Sequence, residues 1–371
     1  MNYIKPLDSL RAIAVFLVII WHWLGKSNGL NNFPNGPMGV VIFFVLSGFL
    51  ITRILLEGRN KIESAGSSKM IFFKNFYIRR SLRIFPLYYI VVGAFFIYSI
   101  LNHEYLTKYF YFFTYTSNYY FIKIEAWDNY LSHLWTLAVE EQFYLIWPLI
   151  VLRVNKKYLL HSIILFIAIG VIGQIIAGGG WQEFSTICCF DSLGSGALLA
   201  WITVYKPKYL KSIYRITGII SIVVAILLYY QVVVLKNILF PFRIQASVIS
   251  LFVVSYIVYT CYNKIKLPFI LNIILNNNFL ASIGKISYGL YIYHVLISNL
   301  WRIKFFSDLY GHLPSFMVHK PRYFHMVNFI VLLVVSFLSW KFIEKPILSL
   351  KRTFQLKEKA AGTAREVGLV S

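Results

Sequence analysis

The sequence predicts an all-α integral membrane protein, a single bundle of about ten transmembrane helices. Three observations predict it. Of 371 residues, 58% are hydrophobic and only 13% charged, against about half and a quarter in soluble globular chains. The apolar residues fall in runs of roughly 20, the length a helix needs to cross the ~30 Å hydrocarbon core. Many of the 27 Tyr and 9 Trp lie near the ends of these runs, as in interfacial belts.

The ten runs lie at approximately 8–25, 37–56, 82–101, 131–152, 159–177, 186–204, 213–232, 242–262, 280–300 and 326–343. Residues 1–346 form one membrane domain. Residues 347–371 form a polar cytoplasmic tail, a candidate for disorder, whose last stretch from Ala360 to Ser371 differs in composition. The first run starts almost at Met1 without a small-residue cleavage site, so no cleavable signal peptide is expected.

The net charge of +22 does not indicate nucleic acid, because the basic residues sit in short loops between apolar runs. With the N-terminus in the cytoplasm, cytoplasmic segments hold 27 of the 36 Lys and Arg. The opposite orientation inverts that ratio, so both termini of this multi-pass cell-membrane protein are expected in the cytoplasm. The segment from Arg53 to Arg83 carries the densest cluster, and the aromatic segment from Tyr105 to Tyr130 falls on the other face. Cys188, Cys189 and Cys261 are the only cysteines, and no Cys/His spacing suggests a metal.

Ionisable residues inside membrane helices are costly and are therefore functional candidates. The first helix carries Arg11 and His22, about 16 Å apart along its axis and three turns round, so both can face the bundle interior. A neutral imidazole is the usual general base near pH 7, which makes His22 the catalytic candidate. The competing readings are a topology anchor for Arg11 and a structural histidine for His22. The fourth helix carries Glu140 and Glu141, about 100° apart, so at most one faces His22. Glu140 shares a face with His133 and is suited to hold an imidazole in one tautomer, as a carboxylate does in a hydrolase triad.

In the ninth helix Ser287, Tyr291 and His294 form a polar stripe at i, i+4 and i+7, which in lipid faces other helices. Asp191 near the start of the sixth helix and Ser47-Gly48 within the second are weaker candidates. Arg79, Arg80 and Arg83 sit at the expected cytoplasmic start of the third helix. Arg79 and Arg83 are i, i+4 neighbours, and guanidinium groups bind phosphate in bidentate fashion. Such a pair suits a phosphorylated cytosolic ligand.

Six motifs in this order resemble the acyltransferase-3 family of membrane acyltransferases. They are Arg11 and His22 with ten residues between, Phe43-Phe44-Val45-Leu46-Ser47-Gly48-Phe49-Leu50-Ile51 and Arg80-Ser81-Leu82-Arg83-Ile84-Phe85-Pro86. The others are Leu134-Trp135-Thr136-Leu137-Ala138-Val139-Glu140-Glu141-Gln142-Phe143-Tyr144, Ser287-Tyr288-Gly289-Leu290-Tyr291-Ile292-Tyr293-His294 and Trp340-Lys341-Phe342-Ile343-Glu344-Lys345-Pro346. The resemblance implies an acyl-CoA donor, acetyl-CoA in the first instance, taken from the cytoplasm. It also implies an acceptor hydroxyl on a cell-surface glycan or lipid-linked sugar. The family's Arg-x-x-Arg falls on Arg80 and Arg83, which leaves the choice between Arg79 and Arg80 open. Some members carry a C-terminal hydrolase-like extracytoplasmic domain. None is expected here, which leaves transfer to the bundle or to a separate partner.

The expected mechanism places the CoA nucleotide at the cytoplasmic arginines and the thioester near the membrane interior. His22 takes the proton of the acceptor hydroxyl, Arg11 lines the donor path or orients the thioester, and Glu140 orients His22. Direct attack and a transient acyl-His22 are both compatible with it. The rival from another class is an exporter of a glycan or lipid-linked glycan, which would not consume a thioester.

The expected orientation is testable by labelling with a membrane-impermeant thiol reagent. A cysteine placed at Ser68 should be shielded in intact cells and react after lysis. Reaction from outside would reverse the topology.

Overall fold

The apolar runs become helices, and no strand occurs among the described residues. The structure is a computed structural model and describes residues 3–24, 29–66, 68–128, 130–235, 242–300 and 321–350. The expected tail from 351 onward lies outside them. The helices are α1 Lys5–Trp23, α2 Asn35–Ala65, α3 Lys69–Leu101, α4 Thr107–Phe113, α5 Ser117–Ile124, α6 Trp135–Arg153 and α7 Lys156–Ala177. They continue with α8 Phe190–Tyr205, α9 Leu210–Tyr229, α10 Phe242–Tyr262, α11 Phe269–Leu275, α12 Asn278–Lys285, α13 Ser287–Asn299, α14 Pro321–Ser339 and α15 Lys345–Ser349.

Among the described residues, eight helices are long and apolar enough to span a membrane, and a ninth span forms if the bent pair α12–α13 counts as one. The remaining expected span, α6, has 19 residues, enough for about 28 Å. Its Glu140-Glu141-Gln142 run dilutes its apolar character.

Two expected boundaries change. The second and third helices run far beyond the apolar cores, to Ala65 and back to Lys69. Arg79, Arg80 and Arg83 therefore lie inside α3 rather than at its start. Ion pairs at i, i+4 support the extension of α2, Arg53 with Glu57 and Arg59 with Glu63, each at 2.9 Å. Gly66 then ends the helix in the left-handed conformation, at φ 62°. The expected ninth helix is broken by a 70° bend between α12 and α13. Asn277 caps α12, its Oδ1 accepting the amides of Phe279 and Leu280 at 2.8 and 3.2 Å. The bend sets Ser287 at the first turn of α13.

α2 is the hub, with 72% of its span buried. It packs against α1, α6, α8 and α10. Its contact with α8 is backbone on backbone. A Cβ on Gly48 would lie 1.9 Å from the carbonyl oxygen of Leu193, and one on Gly196 would lie 2.0 Å from that of Val45. Only glycine permits this approach, the membrane-helix use of small residues. At its far end α2 caps α6: Arg59 donates to the carbonyls of Val151 and Val154 at 2.8 and 2.7 Å, satisfying groups a helix C-terminus leaves bare. The spans of α9 and α14 are only 22% buried and present their apolar residues outward, to lipid.

Gly48→Ala should therefore destabilise the folded protein by on the order of 1–3 kcal/mol or more through overpacking. Gly93→Ala on α3, where nothing lies within 4 Å of the added carbon, should gain about 0.5–1 kcal/mol of helix propensity. Thermal midpoints in detergent compare them, and a Gly48 variant as stable as Gly93→Ala would refute the close crossing.

Candidate active site

Two chambers open between the helices. The first lies toward the start of α1 and is lined by Arg11 of α1, Ser47 of α2, Arg80 and Arg83 of α3, Thr136 and Glu140 of α6, and Ser287 and Tyr291 of α13. Its enclosed cavity volume is about 230 Å³. The second lies toward the end of α1 and is lined by Trp21, His22, Trp127, Asp128, His133, Trp135, Glu183, Phe184, Arg243 and Asn299, among others. Val40 and Tyr291 line both chambers and form the partition between them.

Tyr291 is held in place. Its hydroxyl donates to the His133 carbonyl at 2.9 Å and lies 2.6 Å from Thr136 Oγ1, and its ring meets Phe43 edge-on at 6.0 Å.

In the arginine chamber, Arg11 is ion-paired with Asp8, one turn earlier on α1. Arg80 lies over the ring of Tyr144, 3.9 Å from its centroid. Arg83 is accessible and makes no hydrogen bond or ion pair among the described residues. Arg79 turns the other way, donates to the Asn75 carbonyl at 3.1 Å and lines neither chamber. Of the two arginines left open by sequence, Arg80 is the one beside Arg83, because i and i+3 share this face of α3.

Glu140 also belongs to the arginine chamber. Ser47 Oγ donates to its Oε1 at 2.7 Å and Tyr144 Oη to its Oε2 at 2.9 Å. Both oxygens are engaged there, so Glu140 does not orient His22 as the sequence suggested. The carboxylate instead fixes Tyr144, whose ring carries Arg80. His133 and Trp135 of this segment reach the other chamber, and His133 lies seven positions earlier, about 10 Å along the axis. Glu141 is turned away from both chambers, and its Oε1 is buried without a hydrogen-bond partner among the described residues.

In the histidine chamber, three imidazoles stand together. The His22 and His294 ring centroids are 4.9 Å apart, as are those of His133 and His294. His22 Nδ1 lies 3.3 Å from His294 Nε2 and 2.8 Å from the Val18 carbonyl. His22 is accessible from the chamber, whereas His133 and His294 are buried. Arg243, held by the Glu183 carbonyl, lies over the rings of Trp135 and Phe184 at 5.3 and 5.6 Å. Lys108 and Asp128 pair at 2.8 Å at the rim.

Asp191 lines neither chamber. It is buried and accepts from Ser247 at 2.6 Å, tying α8 to α10. No cluster of His, Cys, Asp or Glu suited to a metal occurs among the described residues.

Sequence reasoning missed Asp8, Tyr144, Thr136 and His133 as site residues. The signal was present for two of them: Asp8 stands three before Arg11, and Tyr144 four after Glu140, spacings at which helical side chains meet.

A family model described as an acyltransferase domain, Acyl_transf_3, matches residues 4–343. The chain belongs to this acyltransferase family. Its six motifs map onto α1, α2, α3, α6, α13 and the turn Trp340–Glu344 between α14 and α15, and all but the last contribute residues to the two chambers. Among similar proteins, the peptidoglycan O-acetyltransferase OatA of Listeria monocytogenes is 30% identical over 377 residues, covering 93% of this chain and 56% of the relative. A protein of Staphylococcus aureus strain COL named as a candidate O-acetyltransferase is 29% identical over 386 residues, covering 93% of this chain and 57% of its own length. The acyltransferase thus spans little more than half the length of these relatives. No solved structure matches it.

Arg59 and Arg83 should respond oppositely to neutralisation. Arg59→Met orphans two helix-end carbonyls and should cost about 2–4 kcal/mol, at about 1–3 kcal/mol for each unsatisfied group. Arg83→Met removes a cation that makes no hydrogen bond or ion pair among the described residues and should leave the thermal midpoint unchanged or raised, as at sites kept for function rather than stability. Equal losses in the two variants would contradict this difference between Arg59 and Arg83.

Proposed function

We propose that the chain is a membrane-bound O-acyltransferase that moves an acetyl group from cytosolic acetyl-CoA to a hydroxyl of a cell-surface glycan or lipid-linked sugar. The observation that carries this reading is the back-to-back pair of chambers. A chamber lined by Arg11, Arg80 and Arg83, with Glu140 its one acidic lining residue, meets a chamber lined by His22 and aromatic rings across Tyr291 and Val40. The relatives' names support acetyl transfer to peptidoglycan.

In this reading both termini are cytoplasmic and the arginine chamber opens to the cytosol. The accessible guanidinium of Arg83 and its neighbour Arg80 bind phosphate oxygens of coenzyme A. Charge-assisted hydrogen bonds of this kind are strong in a low-dielectric site. The pantetheine arm follows the chamber toward Tyr291 and brings the thioester to the partition. Arg11, steadied by Asp8, lines the donor path. Glu140 acts at one remove, through Tyr144, on the stance of Arg80.

The acceptor sugar enters the other chamber, where Trp21, Trp127 and Trp135 offer flat apolar surfaces to its ring. His22 takes the proton of the attacking hydroxyl. A carbon–oxygen bond forms, the carbon–sulfur bond breaks, and the proton held by His22 passes to the departing thiolate or to solvent. Attack is direct or passes through an acyl-His22, and the atom balance is the same for both.

Three measurements on one set of purified variants test this: acetyl-CoA affinity by calorimetry, thermal midpoint, and ester formation. Arg80→Ala with Arg83→Ala should weaken acetyl-CoA binding by about 1.5–3 kcal/mol per lost contact. His22→Ala should keep that affinity and lose ester formation by roughly 10²–10⁴-fold. Unchanged affinity in the double variant removes the arginines from the donor site, and near-normal transfer by His22→Ala ends its assignment as base. Absence of thioester consumption by the unmodified protein would favour an exporter.

A further inference from the structure

With Glu140 engaged elsewhere, something other than a carboxylate must orient the base. The main chain supplies the answer through the three histidines. A carbonyl oxygen only accepts, so a ring nitrogen facing one carries the hydrogen. His294 Nδ1 lies 2.6 Å from the Tyr291 carbonyl and is therefore the protonated nitrogen, which leaves His294 Nε2 with a bare lone pair. That lone pair faces His22 Nδ1 at 3.3 Å. His22 Nδ1 in turn faces the Val18 carbonyl at 2.8 Å. Two acceptors converge on this nitrogen, so it carries the hydrogen, and His22 Nε2 is left bare.

The alternative tautomer of His22 would set its Nδ1 lone pair against both acceptors, and His294 cannot relieve this by switching, because its own tautomer is set by Tyr291. His133 is fixed in the same way, its Nε2 donating to the Ile292 carbonyl at 2.9 Å. It packs its ring against His294 at 4.9 Å. The charged groups that share the chamber, Asp128, Glu183 and Arg243, make no hydrogen bond to His22.

We infer that His294 is a positioning residue, which holds His22 in the tautomer with Nε2 free to act as base and accepts a hydrogen bond from His22 Nδ1 as that ring becomes cationic. The inference rests on the reading of His22 as the base. His294 is fully buried and acts through His22 rather than on substrate. Its place is that of the carboxylate in a hydrolase triad, filled by a neutral ring. When His22 takes up a proton at Nε2, its Nδ1–H becomes a charge-assisted donor, and the bond to His294 strengthens at the moment of reaction. A neutral acceptor suits this depth, because it adds no buried anion that would need its own partner. The ring is held from two sides, by the Tyr291 carbonyl and by His133, and Trp23 Nε1 anchors the main chain beside it by donating to the His294 carbonyl at 2.9 Å.

Two isosteric substitutions separate this role from simple anchoring. The side-chain oxygen of His294→Gln falls near the position of Nε2 and keeps an acceptor for His22. The amide N–H of His294→Asn falls near Nδ1 and keeps the bond to Tyr291 but offers His22 nothing. Turnover per folded molecule should fall by roughly 10²-fold in the Asn variant, within the range of a positioned acid–base group, with KM for acetyl-CoA unchanged. The Gln variant should recover at least about tenfold of that loss. If the Asn variant does not accumulate, His294→Ala takes its place with the same expectation. The reverse order, or equal losses in both, overturns the inference and leaves His294 a structural residue. His22→Ala in the same assay keeps the two claims apart. If it turns over normally, the base reading itself has failed. If it is inactive while Asn matches the unmodified protein, only the role of His294 has failed.

Discussion

A polar group inside hydrocarbon must find its partner within the protein, and this constraint orders the bundle. The hub helix α2 is tied to α6 by Thr52, which accepts from Trp147 at 2.7 Å, and by Arg59 at the carbonyls of Val151 and Val154. Ser247 satisfies Asp191 and so ties α10 to α8. Ser47 and Tyr144 share the carboxylate of Glu140. These contacts join helices far apart in sequence, and the glycine crossing brings the backbones of α2 and α8 together beside them. Arg83 is different: it is accessible and makes no hydrogen bond or ion pair among the described residues.

α1 acts as a ruler across the bundle. Arg11 and His22 are on one helix, and the distance between them assigns each to its own chamber. α13 does the complementary work. Tyr291 carries its hydroxyl to the partition and its carbonyl to His294, so the residue that divides the chambers also sets the proton position on the histidine beside His22. Movement of α13 would alter both at once. Its 70° break from α12 orients it for this, and the capped start of α12 fixes where the break falls.

The membrane class and the positions of the helical runs were legible in the sequence, because an apolar run of 20 residues has few other uses. Helix ends were less legible. Hydropathy reports where lipid begins, whereas Arg53–Glu57 and Arg59–Glu63 carry α2 on into water by pairs that hydropathy scores as loop. The break at Ile286 has only a weak mark in the sequence, Gly284-Lys285 before it and Ser287 after it. Among site residues, Arg11, His22, Arg80 and Arg83 were readable as charges with no reason to be where they are. The partnership of Glu140 was not. Helical spacing says which residues share a face, but not which neighbouring helix that face meets, and Ser47 on α2 was the deciding neighbour. His294 was visible as one of a polar stripe, while its contact with His22 across 272 positions is a tertiary fact.

On the proposed reading, the division into two chambers has an energetic logic. Coenzyme A is multiply anionic and a sugar is covered with hydroxyls, and carrying either through hydrocarbon means stripping its water without replacement. An acetyl group is small and uncharged. If the donor stays among Arg11, Arg80 and Arg83 and the acceptor stays among the tryptophans and His22, then only the acetyl group needs to pass the plane of Tyr291. A partition of Val40 and a tyrosine held by two hydrogen bonds is then thick enough to separate the carriers and thin enough for a thioester carbon and a hydroxyl oxygen to meet. The reaction itself does the crossing, and the helices need not alternate between inward and outward states to move a polar solute. That is the physical difference between this bundle and a transporter of similar size, and it follows from where eleven residues of α1 place an arginine and a histidine.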